Sequence, residues 1–139
     1  MTVKLASLRA DLEREVVGDW IDYPPLPGVA FNVRSLRAPS YVTKRDLVLQ
    51  RLARTYGNET PPADVAARET GALYCAEVLN GWRGLDVEYS PSVALEILTD
   101  PAYRYVTEAV EWCASQIARM NIEFTEMTVK KSEPAFAGG

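Results

Sequence analysis

The sequence contains no histidine. That absence removes the side chain that most often moves protons near neutral pH and the commonest protein ligand for zinc. Histidine-based triads, histidine proton shuttles and histidine-containing zinc sites are therefore excluded. Cysteine is scarce too, with only Cys75 and Cys113. They stand far apart, each inside an apolar stretch, as expected of two small buried hydrophobes in a reducing compartment rather than of a disulfide. No apolar run approaches the roughly 18–20 residues that a membrane-spanning helix needs. The first fifteen residues carry Asp11, Glu13 and Glu15 and lack the apolar centre of a secretory signal, so a cytoplasmic location is expected and no membrane partner. Phosphate-binding glycine loops are missing as well. Gly81-Trp82-Arg83-Gly84 has two glycines, but no lysine follows and no strand is predicted before it.

What is present suits one globular domain. The chain has 139 residues, 47% of them apolar and 24% charged, enough to bury a core without staples. The net charge of −4 hides an asymmetry. Residues 1–57 carry nine basic and six acidic side chains, and residues 58–139 carry six basic and thirteen acidic. The acidic total argues against nucleic acid as a partner.

Periodicity predicts a mainly α fold: a small bundle of about four helices with an N-terminal β-hairpin, α+β in the minor sense. Residues 1–15 read as an arm or a short helix, with Leu5, Leu8 and Leu12 at helical spacing. Residues 16–121 form the domain and 122–139 a flexible tail. Within the domain, Val16 to Tyr23 and Val29 to Leu36 are rich in β-branched and aromatic residues and flank Pro24-Pro25-Leu26-Pro27-Gly28, which predicts a hairpin over 16–37 with a five-residue connection. Helices are predicted over 39–56, 61–79, 91–98 and 101–121. Proline opens the first at Pro39, Thr60 caps the second, and Ser90-Pro91 and Asp100-Pro101 start the last two. The inward stripes are Val42, Leu49, Leu52, Ala53 and Tyr56, then Val65, Ala72, Leu73, Ala76 and Leu79, then Val93, Ala94, Ile97 and Leu98, and finally Tyr103, Val106, Val110, Cys113, Ile117 and Met120. Gly71 inside the second helix costs about 1 kcal/mol against alanine, and a close helix crossing would account for it. Asn80 to Leu85 reads as a loop.

Catalytic equipment is thin. Glu108 and Glu111 lie on a polar helix face, which is ordinarily solvated, whereas general acid–base work needs a buried, perturbed pair. Ser90 has no histidine to activate it. No enzyme activity, cofactor or metal is expected. The candidate residues are instead those of a protein-binding surface. Lys44, Arg45 and Arg51, with Arg54, make a basic face on the helix over 39–56, which is either a solvated surface or an electrostatic contact for an acidic partner. Such a contact is available in a second copy of this chain, so a homo-oligomer is a candidate assembly. Trp20, Tyr23, Trp82 and Tyr89 are either core plugs or interface anchors, since Trp and Tyr are enriched at binding hot spots.

Leu79-Asn80-Gly81-Trp82-Arg83-Gly84-Leu85, then Tyr89-Ser90-Pro91, then Leu95-Glu96-Ile97-Leu98-Thr99-Asp100-Pro101 resemble the "GW.G" turn, "YSP" helix start and "LLTDP" step of the tail assembly chaperones of long-tailed bacteriophages and prophages. Together with Val29 to Leu36, the likeness covers roughly residues 16–120. The resemblance implies a protein of the host bacterial cytoplasm, absent from the mature virion. Such a protein binds the tape measure protein, keeps it soluble and helps recruit the tail tube protein. In many members a ribosomal frameshift near the end of the gene appends a second domain, and Lys130-Lys131 lie where such a slip would fall. The competing expectation is a structural head–tail or tail completion protein of the virion, whose hairpin would add to a ring by strand pairing.

Overall fold

The computed structural model describes residues 1–119 and 123–125. The chain divides into two compact units, one formed by residues 12–118 and the other, among the described residues, by residues 1–11 with 119 and 123–125.

In the smaller unit, Leu5–Leu8 form a single 3-10 turn. The chain beside it pairs with residues 123–125. Val3 bridges Phe124, Lys4 N–H donates to the Glu123 carbonyl at 2.8 Å, and Thr125 N–H donates to the Thr2 carbonyl at 2.8 Å. Glu123 N–H donates to the Ser7 hydroxyl at 2.9 Å. Residues 123–125, expected in a loose tail, are thus tied down by main-chain hydrogen bonds. The rest of the expected tail, including Lys130-Lys131, lies outside the described residues.

The larger unit begins with α1, Leu12–Val17, which takes in the Val16 and Val17 expected in the first strand. Gly18 ends it. Its N–H donates to the Arg14 carbonyl at 2.8 Å, and its positive φ of 94° turns the chain where a Cβ would meet the Val33 carbonyl oxygen at 2.8 Å. The hairpin then forms as β1, Asp19–Asp22, and β2, Ala30–Val33, paired antiparallel. Tyr23 N–H donates to the Val29 carbonyl at 3.0 Å, so the connection is the predicted 24–28.

The fold expectation is corrected in one main respect. The hairpin is two-thirds of a three-stranded antiparallel sheet, β1-β2-β3, in which β3, Leu79–Arg83, occupies the stretch expected to be the end of a helix and a loop. The molecule is α+β, with five α-helices and this sheet among the described residues, rather than a four-helix bundle with an appended hairpin. The preceding helix stops before Asn80-Gly81. This segment becomes a strand because Phe31 and Val33 of β2 offer an open edge opposite Trp82 and Leu79. Phe31, Val33, Leu79 and Trp82 are buried on the inner face, with Ile21 of β1 packed against them. On the outer face the Trp20 ring reaches over Gly81 and lies 4.5 Å from the Arg83 guanidinium carbon.

The remaining helices are α2, Pro39–Tyr56; α3, Ala63–Glu77; α4, Pro91–Leu98; and α5, Arg104–Ile117. α2 has the predicted bounds. α3 is shorter at both ends than predicted, and no side chain caps its start at Pro62, so Thr60 is not its cap. α4 is capped as predicted, with the Ser90 hydroxyl accepting from Val93 N–H at 3.2 Å. The Asp100-Pro101 signal first produces a 3-10 turn, Pro101–Tyr103, and only then α5. Val110, Cys113 and Ile117 of α5 are buried as predicted, whereas Tyr103 is exposed and Met120 lies outside the described residues. α5 packs on β1 and β2, and α3 joins α4. At that crossing Gly71 lets the helices touch backbone to backbone. A Cβ there would sit 2.1 Å from the Leu98 carbonyl oxygen, so the suggested close crossing is real.

Candidate functional site

Among the described residues α2 is the longest helix, and it lies largely in water. Of its eighteen residues only Tyr41 is buried. The predicted stripe is corrected here. Val42, Leu52 and Tyr56 turn inward with Val48, but Leu49 is 55% exposed and Ala53 is exposed. α2 packs mainly against α3, which covers one side of the cylinder only. The two run antiparallel, as their contacts show. Ser40 near the start of α2 donates to Glu77 at the end of α3, the Tyr41 and Tyr74 rings are 6.1 Å apart, and Arg51 grips Glu69 with two bonds of 2.8 Å.

Between the two helices lies a groove of about 290 Å³. Its apolar lining is Leu47, Val48, Ala72, Leu73 and Ala76, and its charged margins are Lys44 and Arg51 on α2 and Glu69 and Glu77 on α3. Leu47 is 56% exposed within it. The hydrogen-bonded Arg51 guanidinium holds the Glu69 carboxyl below its ordinary pKa, and the same bond raises that of Arg51. The pair therefore stays ionised at neutral pH. Lys44 has no ion-pair partner among the described residues.

Of the residues singled out in the sequence, the groove brings together Lys44 and Arg51. Arg45 sits on the same helix but outside the groove, paired with Asp46 at 3.1 Å and 6.0 Å above the Tyr41 ring. The aromatics go elsewhere. Trp20 is 40% exposed on the outer sheet face. Tyr23 is 8% exposed and belongs to the core, where its ring meets Phe31, Tyr105 and Trp112 at 5.6–6.5 Å. Trp82, 7% exposed, is also a core residue. Its indole N–H donates to the Val87 carbonyl at 2.8 Å, and its ring stands edge-on to Tyr89 at 5.2 Å. Tyr23 and Trp82 are thus core plugs rather than exposed anchors, and half-buried Tyr89 props the second of them. Sequence reasoning missed Leu47, Glu69 and Glu77. Leu47 does signal itself as a leucine out of step with the helical stripe, but the two carboxylates acquire meaning only once the helical hairpin sets them beside α2.

Burial pushes the thiols of Cys75 and Cys113 up to about 11, so both are protonated at neutral pH, and both are free. Tyr74 is raised far above its ordinary range by burial and by its 2.8 Å hydrogen bond to Glu111. Among the described residues no cluster of acidic or cysteine side chains is arranged to hold a metal, and no helix is long and apolar enough to cross a membrane. No family model matches the chain, and neither a curated protein nor a solved structure matches it.

Proposed function

We propose that this protein is a tail assembly chaperone of a long-tailed bacteriophage or prophage, a non-enzymatic binding protein. It would act in the host bacterial cytoplasm, hold the tape measure protein soluble and help bring the tail tube protein to it. The observation that carries this reading is the α2–α3 groove. An apolar channel lined from both helices and edged by charge suits an amphipathic helix laid into it. The task of such a chaperone is to cover the apolar stripe of a long helical client reversibly. A groove whose own leucine is already half in water gives up little when the client leaves. The motif series from Leu79 to Pro101 adds the family likeness, and the three motifs perform clear local jobs here: strand β3, the capped start of α4 and the step into α5.

Co-expression with the tape measure protein of the same genome tests the reading. Soluble tape measure protein that co-purifies with this chain is expected, and Leu47→Asp is expected to reduce that recovery several-fold by placing a charge in the apolar channel. No complex and no gain in solubility would remove the proposal. A structural virion component, which would recruit a strand onto the hairpin, draws less support from the sheet edge. Trp20 N–H is already taken by the Asp19 carboxylate at 2.8 Å, and Asp19 and Asp22 place negative charge along that edge.

A further inference from the structure

The two walls of the groove differ in sign. α2 lines it with Lys44 and Arg51 and α3 with Glu69 and Glu77, and the whole helices follow suit: beyond the groove α2 adds Arg45 and Arg54 against the single acid Asp46, and α3 adds Asp64 against the single base Arg68. The helical hairpin therefore presents a positive helix and a negative helix side by side, with an apolar strip between them. Such a surface is complementary to itself under one symmetry and hostile to itself under another. A twofold axis parallel to the helices sets α2 of one copy against α3 of the other. Lys44 then lies near the level of Glu77 of the other copy, and all four neighbouring helix pairs run antiparallel, which also aligns their dipoles favourably. A twofold axis across the helices would instead set α2 on α2, basic on basic.

We infer that the α2–α3 hairpin is a self-association surface, on which a second copy of this chain seats with α2 of each copy against α3 of the other in a four-helix bundle. The apolar strip Leu47, Val48, Leu73 and Ala76 forms its core, and Lys44 gains the ion pair it lacks among the described residues of the single chain. Where the chaperone reading holds, on which this part rests, the groove of the free chaperone is stored against a second copy until the client replaces it.

The test is sedimentation of the full-length chain over a range of concentrations, with a charge exchange in the groove. The wild-type chain is expected to dimerise, and to do so less tightly as salt rises. Lys44→Glu and Glu77→Lys, each alone, are expected to weaken the dimer by roughly tenfold, because twofold symmetry makes each change count twice. The two together, which restore opposite charge across the interface, are expected to return affinity to within about threefold of wild type. Circular dichroism on each variant establishes that the fold is kept, and the wild-type and combined chains decide the matter even if one single variant fails to fold. A wild-type chain that stays monomeric throughout, or a combined variant no tighter than the single ones, overturns the inference. A dimer that takes up no tape measure protein on co-expression removes the chaperone reading and leaves the self-association standing. A tape measure complex made by a chain that never dimerises does the reverse.

Discussion

α5 and α2 are both amphipathic helices of this chain, and they are used in opposite ways. α5 buries Ala109, Val110, Cys113, Ala114 and Ile117 in fourteen residues, set against the sheet. α2, four residues longer, buries one. The difference lies in what each meets. α5 faces a sheet whose inner surface offers Phe31 and Val33, and its small residues Ala109 and Ala114 let it come close. α2 meets mainly a single helix, and two cylinders touch along a line, so most of its circumference stays in water. Helix length and apolar content are thus poor guides to structural importance in this molecule. The shape of the opposing surface decides which helix holds the fold and which is displayed.

Three substitutions bear on that contrast. The largest loss is expected from Ile117→Ala, which empties a site that is 2% exposed and should cost about 2–5 kcal/mol in urea unfolding. A cost below about 1 kcal/mol would mean that α5 is not the supporting helix. Gly71→Ala comes next and has an instructive sign. Helix propensity alone favours alanine by about 1 kcal/mol. The 2.1 Å approach to the Leu98 carbonyl oxygen overrides it, because the obstacle is backbone and cannot rotate away. A net destabilisation of about 1–3 kcal/mol is expected from the thermal midpoint, and any stabilisation would show that α3 and α4 separate freely. The smallest effect belongs to Leu49→Ala on the exposed side of α2, within about 0.5 kcal/mol of wild type in the same urea assay. A loss matching that of Ile117→Ala would erase the distinction between the two helices.

The elements with strong local signals are legible in the sequence. The bounds of α2, the Ser90 cap of α4, the buried stripe of α5 through Val110, Cys113 and Ile117 and the five-residue hairpin turn follow from proline, capping serine and apolar spacing. β3 is not legible. Leu79-Asn80-Gly81-Trp82-Arg83 lacks β-branched residues and contains a turn signal, and its strand geometry comes from the partner β2 rather than from itself. α1 misleads for the converse reason. Val16 and Val17 favour strands, but the helix begun at Leu12 runs on through them until Gly18 turns the chain. At the candidate site, the basic residues Lys44 and Arg51 can be picked out because they lie on one helix. Their acidic counterparts Glu69 and Glu77 come from another, and a pairing across a hairpin leaves no trace in local spacing. The aromatics are the hardest to place. Trp82 and Trp20 look alike in sequence, each close to a glycine, yet the alternation of a strand sends one inward and the other outward.

The hydrogen bond from the Trp82 indole to Val87 has a consequence for handling the protein. The stretch Gly84–Glu88 is exposed and forms no helix or strand, which would ordinarily make it the first place a protease cuts. The buried indole pins that stretch from within at its fourth residue, so a protease that must draw the chain out straight has to break that bond to the core first. The exposed link between α2 and α3 carries the Glu59 N–H to Tyr56 carbonyl turn bond at 3.0 Å, and no buried side chain lies within it. Limited digestion should therefore open the chain between the two helices of the hairpin and spare the tryptophan loop. The two fragments from such a cut would report directly whether the hairpin is held by its own contacts.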